Sequence, residues 1–359
     1  MKQHRFVTLT KSDLLFKKFL LGSFSASHRA IPVKSFNVGT QFERVTFEVL
    51  DRDGLKSPSF IELLTAILRL PYLSLAFAPV LTVCLIHYFQ GQLFSVAKMC
   101  TILFAILFVH MSAFLWNDFF DHIGGVDRVS HSSGSRLIQN GWLTAVDVRK
   151  WALFFLLAAL TFAISFIVQN PVILFPIGLF VLISPFAFSY VGLGLKYRGL
   201  GESIVFMCFG PLITFAVEQA LYQKWSFLGV FVGVLFGWAA TVLLQLKNWK
   251  NIMTDDLAGV KTFICRMGFD RSKYLLVAQL GILCLLSTGL FLFDLIQPLV
   301  FFLFFLVWVF YSILLAFKIL KVPSPLSSTM QEVYRLGCLF HWRYAALVMC
   351  TVAISHWAP

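Results

Sequence analysis

Asn117, Asp118 and Asp121 follow directly on Met99 to Trp116, a stretch without a single charged side chain. Within a bilayer a carboxylate costs about 2.5–3.5 kcal/mol at the centre, so acids placed there point to function. At about 100° per residue Asn117 and Asp121 stack one turn apart, and Asp118 joins them within about a third of the helix circumference. Gly124 and Gly125 then interrupt the helix and let Asp127 fold back toward the same arc. Crowded carboxylates repel unless a hard cation lies between them. Mg²⁺ takes oxygen ligands, keeps several waters and typically bridges one or two carboxylates to substrate phosphates. The pattern reads as a magnesium–diphosphate site at a membrane surface. Taken alone, N-D-x-x-D is equally what a solvated helix end looks like.

A second polar segment shifts that balance. It runs from Lys247 to Thr262 through Asn248, Lys250, Asn251, Asp255, Asp256 and Lys261. Asn251 and Asp255 are one helical turn apart, whereas Asp256 points about 100° away. Two polar helix ends facing one another across a bundle can hold metal ions and a diphosphate between them. Asp118, Asp121 and Asp255 are the expected metal ligands. Arg136, Lys250 and Lys261 are the cations expected to assist a departing diphosphate.

The elements that must position these residues are helices in a membrane. The 359 residues are 59% hydrophobic and 13% charged, with a mean hydropathy of +0.83, more apolar than a soluble domain of that length. The fold class expected is an all-α, polytopic bundle. Nine spans are predicted, at about 68–88, 99–117, 151–168, 171–191, 203–222, 227–246, 274–293, 297–317 and 339–357. Lys and Arg gather in the loops after spans two, four, six and eight, while the other side carries only Lys98 and Lys224. That asymmetry places both acidic segments and the N-terminus on the cytoplasmic side. The net charge of +12 is thus topology and site chemistry, not nucleic-acid binding. The seven cysteines are scattered without CxxC or Cys/His metal spacing. The lipid bilayer expected is the cell inner membrane, or an organelle inner membrane if the N-terminal leader is a transit peptide.

Residues 1–57 form a separate basic segment, read as a cytoplasmic extension preceding a transmembrane domain over 58–359. Through Gln41 it holds seven Lys and Arg against the one acid Asp13. Leu14, Leu15, Phe16, Phe19 and Leu20 flank Lys17 and Lys18, a pattern for a short interfacial amphipathic helix. No motif falls in this segment, so it is expected to be dispensable for chemistry.

The motifs resemble those of the UbiA superfamily of intramembrane aromatic prenyltransferases, in particular its dihydroxynaphthoate polyprenyltransferase branch in menaquinone synthesis. Asn117-Asp118-x-x-Asp121 with Gly125-Val126-Asp127 is similar to the branch's first aspartate motif. Ser133-Gly134-Ser135-Arg136, leading to Gln139-Asn140-Gly141, resembles the loop that follows it. Tyr197-Arg198-Gly199-Leu200-Gly201-Glu202 and Phe209-Gly210-Pro211-Leu212 resemble the branch's YRGLGE…FGPL segment. Asp255-x-x-Ala258-Gly259-x-Lys261-Thr262 resembles the second aspartate motif, and Arg69 is similar to the basic residue that opens the first span. The second motif departs from the pattern where Asn251 stands in place of the usual Asp.

The resemblance implies Mg²⁺-assisted transfer of a polyprenyl group from its diphosphate to an aromatic quinone precursor. Arg69, Asn117, Asp127, Tyr197, Arg198, Asn248 and Asn251 are the substrate-binding residues it implies. An allylic cation formed this way needs a dry, aromatic cavity. Phe114, Trp116, Phe119, Phe120 and Trp249 flank the motifs as lining residues, and His110 lies on the helix face of Asn117. Other readings remain open: a different acceptor such as 4-hydroxybenzoate, an isoprenoid-binding protein without activity, or a transporter. Against the last, the acids lie near one membrane face and no inverted repeat is evident.

Overall fold

Nine helices among the described residues are long and apolar enough to cross a membrane, and the chain is a multi-pass membrane protein. The computed structural model describes residues 5–25, 27–52, 55, 57–130, 134–292 and 296–357. A small sheet comes first, from β1 (Arg5–Thr10), β2 (His28–Phe36) and β3 (Arg44–Asp51), with α1 (Phe16–Leu21) between β1 and β2. Helices α2 (Phe60–Leu68) and α3 (Leu73–Phe89) make the first span, and α4 (Val96–Gly124) the second. The short α5 (Val126–Val129) precedes α6 (Ala145–Gln169) and α7 (Pro171–Ser189). Then come α8 (Gly201–Cys208) and α9 (Pro211–Tyr222), which share one span, and α10 (Phe227–Lys250). Short α11 (Ile252–Leu257) and α12 (Phe263–Met267) lead into α13 (Phe269–Thr288), α14 (Pro298–Leu320) and α15 (Ser328–Trp357).

Local signals set the boundaries that matter for the site. Helix α4 continues past the apolar run because nothing before Gly124 breaks it, so two further turns carry the acids. It stops at Gly125, whose φ of 89° is left-handed and suits a residue without Cβ. Thr144 and Asp147 form a reciprocal capping box that starts α6 immediately after the loop from α5. Helix α10 is the internal post, packing against α3, α8, α9, α13 and α15. A large core of α10, α13, α14 and α15 residues surrounds Trp249 and Phe236. A second core joins α4 to α6 through Leu115, Val148 and Ala152.

The sheet is the element that helical periodicity does not anticipate. Its strands are antiparallel in the order β1-β3-β2. Val45, Phe47 and Val49 alternate inward along β3, as one-sided strands do. Phe16, Phe19 and Leu20 of α1 are buried on that face with them. The helix expected between Leu14 and Leu20 is therefore present, but its apolar face is turned into a protein core rather than left for lipid. Leu14, 95% exposed, stays outside. Residues 5–51 are accordingly a folded unit docked on the bundle: β2 touches α5, and α1 touches α6.

Candidate active site

The end of α4 brings Asn117, Asp118 and Asp121 into the interior, all buried. Asp118 pairs with the guanidinium of Arg69 and accepts from the Ser135 hydroxyl. Asp121 pairs with the Lys196 ammonium and accepts from the Asn117 amide at 2.8 Å. Asn117 is itself held by the Ser189 hydroxyl at 3.0 Å. Arg69 reaches Asp118 from the junction of α2 and α3, where its own backbone is left-handed at φ 49°. Such a conformation costs about 1–2 kcal/mol for a residue with a Cβ, and strain of this kind concentrates where function needs it. Arg136, at φ 62°, is a second case.

Asp127 and Asp255 complete the acid set. Asp127 is 2% exposed and its Oδ1 has no hydrogen-bond partner. Burial, then the nearby charges of Asp121 and Asp118, push its carboxyl well above the usual carboxylate range. Burial likewise pushes Asp255 up to about 7, with Lys247 opposing and Asp121 adding. Lys196 shows the complementary effect: burial lowers its ammonium, but Asp121, Tyr197 and Asp255 outweigh that and leave it above its ordinary value. Five residues from α4, the turn before α8, and the end of α10 with α11 thus converge: Asn117, Asp121, Lys196, Lys247 and Asp255 line one polar cavity of about 30 Å³, together with Asn248, Asn251 and Thr262.

That cavity adjoins a much larger apolar one of about 300 Å³. Asn117, Phe188, Leu244 and Lys247 line both. The larger cavity follows α4 from Ile102 to Asn117, roughly 22 Å at 1.5 Å per residue. It follows α8 and α9 from Ile204 to Ala220 on the opposite wall. Tyr72, Phe114, Phe166, Phe188 and Phe209 supply its aromatic faces. His110 also lines it, donating from Nε2 to the Leu68 carbonyl at 3.0 Å, with Nδ1 buried and without a partner.

Several sequence expectations need correction. Lys261 is exposed and pairs with Asp256 at the surface, too solvated to act inside. Lys250 lies over the Tyr334 ring at 4.5 Å and does not line the polar cavity, because it is rotated about 60° from Lys247 around α10. The inward cations are instead Lys196 and Lys247. Arg136 is spent on backbone, donating to the carbonyls of Asp127 at 3.1 Å and Ser130 at 2.6 Å. Arg198 is exposed. Tyr197 packs beside Val126, Ala258 and Val260 without lining the cavity. Of the expected aromatic lining, only Phe114 faces it. Trp116 and Phe120 pack with Phe186, and Phe119 with Phe120, while Trp249 is buried against Phe269. Asn117 and His110, seven residues apart, share the cavity face to within about 20°, whereas residues 120, 116 and 119 are turned about 60°, 100° and 160° from Asn117 around the other side of α4. Ser133 lies outside the described residues.

The donor set is hard: carboxylate and amide oxygens from Asp118, Asp121, Asp127, Asp255, Asn117 and Asn251, with no thiolate or imidazole among them. Such donors, and an unpartnered buried carboxylate oxygen at Asp127, fit a hard divalent cation. Among the described residues no three acids, histidines or cysteines form a ready metal-binding group, and Arg69 and Lys196 pair with the carboxylates of Asp118 and Asp121.

Comparison with known proteins agrees with this architecture. The sequence model of the UbiA prenyltransferase family matches residues 76–325, and the chain belongs to that family. It is 30% identical over 115 residues to UbiA prenyltransferase domain-containing protein 1 of Dictyostelium discoideum, covering 31% of this chain and 33% of that protein. The chain thus spans about a third of that relative's length. It is 27% identical over 255 residues to the 2-carboxy-1,4-naphthoquinone phytyltransferase of Synechocystis, covering 64% of this chain and 76% of the relative. With the 1,4-dihydroxy-2-naphthoate octaprenyltransferase of Haemophilus influenzae it shares 28% identity over 212 residues, 55% of this chain and 66% of the relative. The fold is that of a UbiA homologue from Archaeoglobus fulgidus, solved bound to GPP and Mg²⁺, at a TM-score of 0.52 and 15% identity over 79% of this chain and 98% of that one.

Proposed function

We propose that this protein transfers a polyprenyl group from polyprenyl diphosphate to 1,4-dihydroxy-2-naphthoate, as a Mg²⁺-dependent step of menaquinone synthesis at the cytoplasmic face of the inner membrane. The observation that carries the reading is the junction of the two cavities. A polar pocket of acids and cations adjoins, at Asn117 and Lys247, an elongated apolar cavity suited to a hydrocarbon chain. The acceptor is inferred from the motif resemblance and from the naphthoate- and naphthoquinone-prenylating relatives.

Asp118, Asp121 and Asp255, with Asp127 beside them, are the residues that would hold Mg²⁺. Bound there, the ion neutralises the diphosphate and makes it a better leaving group. The chain's own cations do the rest. Arg69 and Lys196, which now neutralise Asp118 and Asp121, carry the donors that a diphosphate accepts. Lys247 lies at the boundary where the C–O bond would break. The apolar wall excludes water from the allylic cation, and the π faces of Tyr72, Phe114, Phe188 and Phe209 stabilise it. Attack by the electron-rich ring and loss of a carboxyl group or proton restore aromaticity. Purified protein incubated with labelled polyprenyl diphosphate and a panel of aromatic acids, with products identified by mass, tests the assignment. Prenylation of an acid other than dihydroxynaphthoate overturns the acceptor, and the absence of any Mg²⁺-dependent product overturns the reading.

Two further results are expected. Ala216 faces the apolar cavity on α9, toward the end away from the acids. Ala216→Phe fills that end and should lower kcat/KM at least about tenfold for long prenyl diphosphates while sparing a ten-carbon donor, since overfilling a packed space costs about 1–3 kcal/mol. Asn251 lines the polar cavity beside Asp255. Asn251→Asp adds a charged oxygen where attraction to a divalent ion is only partly screened, so half-saturating Mg²⁺ should fall about tenfold. Unchanged or weaker metal dependence would place the amide in another role, such as hydrogen-bonding the acceptor.

A further inference from the structure

Residues 5–51 lie before the family match, which begins at residue 76, yet they touch the acidic loops at several independent points. Glu43, 3% exposed, accepts from the Arg128 guanidinium at 2.6 Å. The same guanidinium donates to the Ile123 carbonyl of α4 at 3.2 Å, so one side chain ties the turn before β3 to both sides of the Gly125 break. Arg128 adjoins Asp127 in sequence and is buried with it. His122, next to Asp121, donates from Nε2 to the Leu20 carbonyl of α1 at 2.9 Å. Val38, in the turn between β2 and β3, is seated on Gly125, where any Cβ would collide with its Cγ1. Val38 also packs with Val126 of the first acidic loop and with Ala258 and Val260 of the second.

The two loops therefore meet at the tip of a sheet that their own helices do not supply. We propose that this β-domain is a clamp on the acidic loops, with Glu43 and Val38 as positioning residues that hold Asp127 in register with Asp118 and Asp121. The physical reason is the Gly125 break itself. A glycine at φ 89° leaves the chain after it freer to swing, and the β-domain contacts add to the Arg136 bond at the Asp127 carbonyl in fixing where Asp127 points. Unsupported, the loop relaxes outward. The extension is then required for metal affinity, in contrast to the dispensability expected from its lack of motifs.

The test rests in part on the prenyltransferase reading above, and its arms separate the two. Full-length protein in detergent is compared with Glu43→Gln and with Val38→Gly, two lesions on different sides of the clamp. Hydrogen–deuterium exchange over residues 122–130 and 255–262, Mn²⁺ binding by electron paramagnetic resonance with inorganic diphosphate present, and Mg²⁺ titration of turnover are measured on each. Both variants should exchange faster over those two segments with the spanning helices unchanged. Mn²⁺ binding should weaken about tenfold, and half-saturating Mg²⁺ should rise in parallel, while kcat at saturating Mg²⁺ falls less than about threefold. Unchanged Mn²⁺ binding in both variants, or loss of protection throughout the bundle, overturns the positioning role. A wild type without Mg²⁺-dependent turnover defeats the prenyltransferase reading alone, because exchange and Mn²⁺ binding still decide the clamp.

Discussion

Alanine at Asp118 or at Asp121 should lower kcat/KM for prenyl transfer by at least about a thousandfold, the size expected when charged groups acting on the leaving group are removed. Each substitution also frees a buried cation. Without Asp118, Arg69 loses the carboxylate it pairs with; without Asp121, Lys196 loses its own. An unpaired buried charge destabilises on its own account, so the asparagine variants are the cleaner probes: they keep the shape and a hydrogen-bonding oxygen. Asp118→Asn and Asp121→Asn should retain a cooperative thermal transition and lose turnover nearly as completely as alanine. Activity within about tenfold of wild type in either would remove the magnesium site from the mechanism.

Lys196→Met should have the second largest effect, a loss of about a hundredfold or more in kcat/KM. Methionine keeps the length and apolar stem of lysine and removes only the ammonium that pairs with Asp121. If Lys196 moves from Asp121 to the diphosphate as the donor binds, the loss falls on the donor and not on the aromatic acceptor. Steady-state KM for prenyl diphosphate, inhibition by free diphosphate and KM for the acceptor separate the two. Lys250→Met and Lys261→Met are the matched controls, since one side chain covers the Tyr334 ring and the other is paired at the surface. Both should stay within about threefold of wild type. A loss at Lys261→Met equal to that at Lys196→Met would mean that the cations were assigned to the wrong positions.

The contrast between these lysines marks how far residue spacing reaches. Along one helix it reaches well: a step of about 100° suffices to group Asn117, Asp118 and Asp121 and to set Asn251 with Asp255 but not with Asp256. Uncharged runs of about 20 residues likewise define the nine spans, because a bilayer accepts few alternatives to a helix. Lys196 is adjacent to Tyr197 and Arg198, which the motif singles out, but the turn over Leu195–Arg198 points Lys196 inward and leaves Arg198 outside. That turn is short, and its rotation is set by packing against α7 and α8, not by its own sequence. The alternation of Val45, Phe47 and Val49 is a strand's period of two, which the all-α expectation passed over, and a strand becomes a sheet only through partners far away in the chain. The sequence by itself determined the spans, which span ends carry the acids and which acids share a helix face, since each depends on neighbours within a few residues. The tertiary structure alone decided which cations meet those acids, which aromatics line the cavity and where the β-domain docks, since each depends on how separate helices rotate against one another.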